Sequence, residues 1–326
     1  MAGSGKATPR VLIVGWGFLG ASIGSRLLAD GVDVTALTRS RTRRSEAGVS
    51  DGARMIVGDA RDPGILEGAV RSVDHVVFSA GGVTPPSAEA NPPAAAMGML
   101  LPLLAVLESL RERPHVSLTY ISSGGAVYGD PLHLPVSESD ATRPISPYGA
   151  LHLAAEVYAQ MCARRTGAPL HIVRCANVYG PSQAHDRDQG AVAVFLDRIS
   201  REQPIRIFGD GSALRDYVFI ADVADVVSRI VLGGLDVGTV NLGSGRGLTV
   251  LEIVRAISTA AGRTAHIEFA PGRDHDVRGV ILDVSRLQSF MPYSPTDFAR
   301  GLELTAAAYS DTLRGRAAAQ TEMLTT

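Results

Sequence analysis

Residues Val11–Arg39 read VLIVGWGFLGASIGSRLLADGVDVTALTR, and the order of chemical character along them decides the fold. Val11–Val14 is a short apolar run suited to a strand buried on both faces of a parallel sheet. It runs into Gly15-Trp16-Gly17-Phe18-Leu19-Gly20, a G-x-G-x-x-G spacing, and then into Ala21–Leu28, which is apolar at helical period. Gly31 stops that helix, and Val32–Leu37 reads as a second strand. Each glycine answers a physical need. Gly15 permits the tight turn, Gly17 lets backbone amides approach a pyrophosphate, and Gly20 lets helix and strand pack closely. The helix N-terminus beyond them supplies unpaired N–H groups and the positive end of its dipole. Set between strand and helix, Gly15, Gly17, Phe18, Leu19 and Gly20 predict a dinucleotide site.

The end of the second strand bears on the cofactor's ribose. NAD sites usually carry Asp or Glu there, on the ribose diol. This chain has Thr38 and Arg39, with Arg41, Arg43 and Arg44 close behind. Without the carboxylate a 2′-phosphate is not repelled, and an arginine can pair with it bidentately. The cofactor is therefore NADP or NAD, with the arginines favouring NADP; a solvated basic loop is the alternative. Asp59-Ala60, after a third strand at Arg54–Val57, places a carboxylate where an adenine amino group could bind it, or where it caps the helix starting near Pro63. Ala80-Gly81, after a fourth strand at His75–Ser79, lets backbone come close to the cofactor.

The remaining composition narrows the class. The chain has 326 residues, 45% hydrophobic and 20% charged, values of an ordinary globular protein with ample length for a core. A net charge of −2 makes no electrostatic case for nucleic acid or membrane surface. Cys162 and Cys175 are the only cysteines and lack metal-ligand spacing, which fits free thiols in a reducing cytoplasm. No apolar run is expected to span a membrane, and Met1–Pro9 lacks the apolar centre of a signal peptide. Gly3-Ser4-Gly5-Lys6 resembles a phosphate loop, but no strand precedes it, so residues 1–9 are expected to be a disordered end. His185, Asp186 and Asp188 share a loop, yet their spacing matches no standard metal site, and none is expected.

Further along, Val83–Pro93 is Pro-rich and predicts a loop. Ala94–Arg111 predicts an apolar helix kinked at Pro102. Ser117–Ser122 is a fifth strand, Tyr148–Arg165 a long helix and Leu170–Arg174 a sixth strand. This alternation predicts an α/β fold, a doubly wound parallel sheet, over residues 10–176. Residues 177–314 change to shorter elements with more Gly, Pro and Asp, which suits a smaller α+β substrate domain. Segments near 215–245, including Val240–Leu242, are expected to return to the main sheet, and residues 315–326 to fray.

Four separated stretches resemble one family, the extended short-chain dehydrogenase/reductases, in its nucleotide-sugar epimerase/dehydratase branch. They are Gly15–Gly20; Ser122-Ser123-Gly124-Gly125-Ala126-Val127-Tyr128-Gly129; Ser146-Pro147-Tyr148-Gly149-Ala150; and Arg174-Cys175-Ala176-Asn177-Val178-Tyr179-Gly180-Pro181. Phe208-Gly209-Asp210-Gly211, Arg215-Asp216-Tyr217-Val218, Asn241-Leu242-Gly243 and Arg273-Asp274-His275-Asp276 extend the likeness over nearly the whole chain. The resemblance implies a Rossmann dinucleotide-binding domain, a nucleotide-diphosphate sugar as substrate, and a homodimer through the Ala94–Arg111 and Tyr148–Arg165 helices. It implies Tyr148 as acid/base, and Asn177, Arg215, Arg273 and Asp276 as contacts to the substrate's diphosphate and ribose. Two arginines suit a dianionic diphosphate and a carboxylate suits a diol.

Two positions depart from the family pattern. Where a Lys follows the Tyr by four residues, one helical turn, this chain has His152. Where a Ser or Thr meets the reacting oxygen, it has Gly124, leaving Ser122 or Ser123 as the nearest hydroxyls. A unit charge at about 5 Å, in an effective dielectric near 20, is worth roughly 3 kcal/mol to a phenolate. A neutral imidazole does not supply that. Gly125 and Ala126 stand where sugar dehydratases and decarboxylases carry carboxyl groups, so elimination has no evident acid and base. What remains is alcohol–ketone redox: a sugar 4-epimerase acting through a transient ketone, or an NADPH-dependent 4-ketoreductase. A protein that binds dinucleotide or nucleotide sugar without turnover is the alternative of another class.

Overall fold

A computed structural model describes residues 8–40, 52–184, 190–233, 235–273 and 277–324, with side chains to residue 312. Seven strands form one wholly parallel sheet: β1 (Arg10–Val14), β2 (Asp33–Thr38), β3 (Arg54–Val57), β4 (His75–Phe78), β5 (Ser117–Ser123), β6 (Leu170–Cys175) and β10 (Thr239–Leu242). Their spatial order is β10-β6-β5-β4-β1-β2-β3. The chain builds outward from β1 to β3, then crosses to β4 on the other side and builds the opposite way. Between β1 and β4 the connections diverge, and the crevice beyond the carboxyl ends of those strands is where such sheets bind ligands.

Buried apolar layers cover both faces, as a parallel sheet requires. One holds Val11, Ile13, Ile23, Leu27, Val34, Val77 and Val173 under helices α1 (Phe18–Ala29) and α8 (Ile220–Gly233). The other holds Leu12, Val14, Phe78, Leu103, Val106, Tyr120 and Ile172 under helices α2 (Pro63–Val70), α4 (Pro92–Ser109) and α6 (Pro147–Thr166). A third cluster, with Val192, Ile205, Ile207, Tyr217, Ile253 and Leu302, lies in the C-terminal part. There β9 (Leu214–Phe219) pairs with β7 (Asn177–Tyr179), β11 (Gly247–Thr249) and β13 (Gly279–Val280), and β8 (Ile205–Phe208) pairs with β12 (Ile267–Ala270).

Several local expectations are corrected. The predicted loop at 83–93 is helical: α3 (Pro85–Ala90) and the start of α4 fill it. Proline in a first turn removes an N–H that has no partner anyway, so Pro85 and Pro92 open helices rather than break them. Thr84 and Ser87 close a capping box, and Asn91 accepts from the Ala94 amide. The helix α4 passes through buried Pro102 and, at 18 residues and a mean hydropathy of 1.4, has the length and composition of a minimal membrane span. No such segment was expected. Its buried side, Ala95, Met99, Leu103, Val106 and Leu107, packs into the protein. Asp59 caps no helix; Asp62 takes that place, accepting from Gly64 and Ile65. The last helix, α11 (Phe298–Leu324), runs on through the expected tail.

Candidate functional site

The glycine turn follows β1 as its spacing predicts. Gly15 has φ +100° and lies against the carboxyl end of β4: a Cβ there would sit 2.5 Å from the Ala80 Cα. The Ser79 hydroxyl donates to the Gly15 carbonyl at 2.9 Å, tying the two strand ends together. A Cβ at Gly20 would fall 1.9 Å from the Gly15 oxygen, so helix packing demands glycine there. Gly17 differs. A Cβ on it would meet no protein atom within 4 Å, and as N-cap of α1 it offers no side-chain acceptor to the first amides. Protein packing does not require glycine at that position, whereas a pyrophosphate set against the helix N-terminus does. Phe18 and Leu19 open the helix. The residues fit a nicotinamide dinucleotide, which would lie across Gly15–Gly20 and supply a hydride acceptor.

At the end of β2, the Thr38 hydroxyl donates to the Ser40 carbonyl. Arg39 reaches across the sheet edge, its Nη2 3.4 Å from a Cβ position on Gly82. It lies near enough to Asp59 to help hold that carboxylate low. The main cause is Arg61, whose guanidinium and amide both donate to Asp59 and bring it to about 2. Asp59 is thus a fixed anion, spanned by Arg61. Ala60 is buried beside it, and Ala80 and Gly81 line the end of β4. Arg41, Arg43 and Arg44 lie outside the described residues.

The helix α6 begins at Ser146, whose hydroxyl accepts from the Gly149 amide, with Pro147 in its first turn. Tyr148, His152 and Glu156 follow at intervals of four and share a face. Tyr148 is half-buried and meets the His152 ring edge-on, centroids 4.7 Å apart. His152 is buried, and its Nδ1 lies 2.8 Å from the Tyr120 hydroxyl. Burial lowers the His152 imidazole to about 4, so it is neutral at physiological pH and brings no positive charge to the phenol.

Of the nearby hydroxyls, Ser122 is committed elsewhere: buried, it donates to Glu156 at 2.6 Å. Ser123 is half-buried, at the N-cap of the short helix α5 (Gly124–Val127), with no cap bond of its own. Gly124 has no room for a side chain. A Cβ there would lie 2.7 Å from the Leu282 Cδ1 and 2.9 Å from the Arg174 carbonyl. Leu282 thus crowds the place where the resemblance implies a hydroxyl.

Beneath this face runs a buried chain that sequence reading missed. Glu156 receives Arg174 through Nε and Nη2 at 2.7–3.2 Å. Arg174 Nη1 donates to the Tyr128 hydroxyl, which donates to the Asn241 side chain. Burial works against the Arg174 charge, but hydrogen bonds and the charge of Glu156 more than offset it and raise its pKa. The helical spacing 148-152-156 is the signal that could have pointed to Glu156. Its partner on β6 became visible only with the register that sets Arg174 beside Ser122.

Three buried histidines make stability sensitive to acid. Burial lowers His152 to about 4 and His75, with help from neighbouring His171, to about 3; it lowers His171 as well. An unfolded histidine binds its proton near ~6.5, while these stay neutral, so their stability is fully present above about pH 6.5 and lost as pH falls through the folded values. His75 and His152 are each expected to cost about 1.4 kcal/mol per pH unit within that window. Thermal unfolding from pH 7 to 4.5 should show a steep decline that His75→Gln makes shallower; a flat profile would contradict this account.

On the substrate side, Asn177 stands beside the α5 turn, its amide nitrogen 3.7 Å from a Cβ position on Gly125, and donates to the Asp216 carbonyl. Arg215 is half-buried on β9, donating to the Leu214 carbonyl. Arg273 is exposed and stacks on the Phe208 ring, 3.4 Å from its centroid. Asp276 lies outside the described residues, as do His185, Asp186 and Asp188. Asp216, quoted above only as part of a motif, is a buried structural hub. It accepts from the Ser244 amide and hydroxyl, the Gly245 amide and the Leu282 amide, although burial raises its pKa.

Comparison with known proteins agrees with this architecture. The family model described as "NAD dependent epimerase/dehydratase family" matches residues 11–243. A UDP-glucose 4-epimerase of Mycolicibacterium smegmatis is 33% identical over 294 residues, 88% of this chain and 93% of that protein. Among solved structures, a UDP-glucose 4-epimerase of Thermus thermophilus in complex with NAD is 31% identical with a TM-score of 0.85, covering 92% of this chain and 99% of that one. A UDP-glucose 4-epimerase of Thermotoga maritima with UDP-glucose is 28% identical with a TM-score of 0.87, covering 93% and 99%. A family match over residues 11–243, with likeness in sequence and in fold over about nine-tenths of the chain, leaves one assignment: the protein belongs to the NAD-dependent epimerase/dehydratase family, as an enzyme of the extended short-chain dehydrogenase/reductase type.

Proposed function

We propose that the protein is a nucleotide-sugar 4-epimerase that works through a transient 4-keto sugar. The carrying observation is Tyr148, half-buried on α6 with His152 against its ring. Gly15–Gly20 would hold a nicotinamide dinucleotide, which when bound would supply the acceptor for the hydride on the sugar C4 and the source of its return. Tyr148 takes the 4-hydroxyl proton as the hydride leaves, and gives it back when the ketone is reduced from its other face. Neutral His152 orients by hydrogen bonding rather than by charge. Ser123 is the hydroxyl left to steady the reacting oxygen, because Ser122 serves Glu156. Asn177, Arg215, Arg273 and Asp276 hold the nucleoside diphosphate. Residues 10–176 carry the cofactor and 177–314 the sugar nucleotide, with segments near 215–245 returning to the main sheet.

A second reading, an NADPH-dependent 4-ketoreductase, is favoured by Arg39 in place of an acidic ribose contact. The discriminating experiment presents UDP- and dTDP-hexoses, and their 4-keto forms, with each cofactor. Epimer formed without net cofactor turnover supports the first reading. NADPH consumed one-for-one with a 4-keto sugar supports the second, and inactivity across the panel defeats both. For the cofactor, Arg39→Ser is expected to weaken NADP binding by about tenfold or more and NAD binding much less, since a charge-assisted bond to the 2′-phosphate is worth roughly 1.5–3 kcal/mol. Equal losses for both cofactors would remove the NADP preference.

A homodimer is part of this reading. Helices α4 and α6 pack side by side and leave Met97, Leu101, Val157, Tyr158 and Met161 exposed, a patch of the kind that a second copy covers. Sedimentation as a monomer at micromolar concentration would set the dimer aside.

A further inference from the structure

We infer that Tyr120 is a positioning residue which holds His152 in the tautomer whose Nε2 carries the proton, so that a neutral imidazole presents a single donor to the cleft beside Tyr148. The geometry is a 2.8 Å contact between the Tyr120 hydroxyl and His152 Nδ1, with Tyr120 buried and His152 only 8% exposed. One proton lies between those atoms, and two arrangements share it. If Nδ1 carried it, the phenol would accept, and the phenol's own proton would be left buried with no other acceptor among the described residues. A buried donor without an acceptor is strongly disfavoured. If the phenol donates, Nδ1 accepts and both groups are satisfied. Burial also pushes the Tyr120 phenol well above its ordinary pKa, which keeps it a donor.

The other ring nitrogen then has to be N–H. Nε2 makes no hydrogen bond within the described protein, yet it is not among the buried nitrogens left without a partner, which are Trp16 Nε1 and His171 Nδ1. It therefore keeps some contact with solvent. A fixed tautomer with one outward N–H replaces a lysine's charge with a directed donor. This changes what the site asks of the rest of β5. Tyr120 and Ser122, two residues apart, face the same way and hold His152 and Glu156 of α6, respectively.

The inference rests on the proposed function for the purpose of the donor, but not for the tautomer itself, and the test separates the two. Protein with 15N-labelled histidine is examined by NMR at pH 7, His152→Gln serving to assign the His152 signals among the eight histidines. The expected spectrum has a protonated Nε2 and an unprotonated, hydrogen-bonded Nδ1. Tyr120→Phe, which keeps the ring, is expected to release this preference, shifting the His152 signals towards a tautomer mixture. It should also lower kcat at least tenfold with little change in the KM for sugar nucleotide. A protonated Nδ1 in the unaltered protein, or a Tyr120→Phe spectrum unchanged at His152, overturns the inference. If no sugar nucleotide is turned over, the functional reading falls, while the tautomer remains readable from the spectrum.

Discussion

Tyr148→Phe is expected to lower kcat by a factor of about 10²–10⁴, the range a positioned acid/base contributes, and to leave folding and cofactor binding intact. The substitution deletes one oxygen from a half-buried ring and keeps the edge-on contact with His152. Any loss is therefore assignable to proton transfer rather than packing. Among the described residues at this face only Ser123 keeps an uncommitted hydroxyl, and an alcohol is a far weaker acid/base than a phenol. Ser122 is bound to Glu156, the Tyr120 phenol is bound to His152, and His152 is neutral and serves as donor. Steady-state rates of epimer formation, or single-turnover hydride transfer followed by cofactor absorbance, read the effect directly. An undiminished rate would remove Tyr148 from the chemistry and with it the mechanism proposed above.

Breaking the pair beneath that face should have the largest effect on stability. In Glu156→Ala, Arg174 keeps its charge while losing three short contacts, and Ser122 loses its acceptor. Removing one partner of a buried ion pair costs about 3–5 kcal/mol, because the remaining charge stays desolvated and unmatched. Glu156→Gln, which retains volume and one acceptor, should cost less. Replacing both residues by methionine should recover much of the loss, since two apolar side chains leave no stranded charge. Denaturant unfolding of the three variants measures this ordering. A Glu156→Ala penalty under 1 kcal/mol would mean that water reaches Arg174 and that the network is not closed.

The two effects separate what this chain states locally from what it assembles. Gly15–Gly20 between strand and helix, the alternation that built a parallel sheet, and the approximate ends of the seven strands of the main sheet were legible because period and turn chemistry act over a few residues. The misses were also local. In sequence Pro85 and Pro92 read as breakers because proline ends a helix interior and equally well opens a first turn, and only the caps at Thr84 and Asn91 decide between them. Asp59 reads as a helix cap or an adenine contact; the cap falls to Asp62, while Arg61, two residues on, binds the Asp59 carboxylate.

By itself, then, the sequence determined the doubly wound sheet, the phosphate turn at its switch point, and the spacing that puts Tyr148 and His152 on one helical face. Tertiary structure alone decided that Leu282 crowds the space beside Gly124, that Glu156 and Arg174 neutralise one another under the site, and that Tyr120 meets His152. The physical reason is range. Helical and strand periods are written in neighbouring residues, whereas a buried proton or charge finds its partner through sheet register and helix placement, which depend on the whole fold.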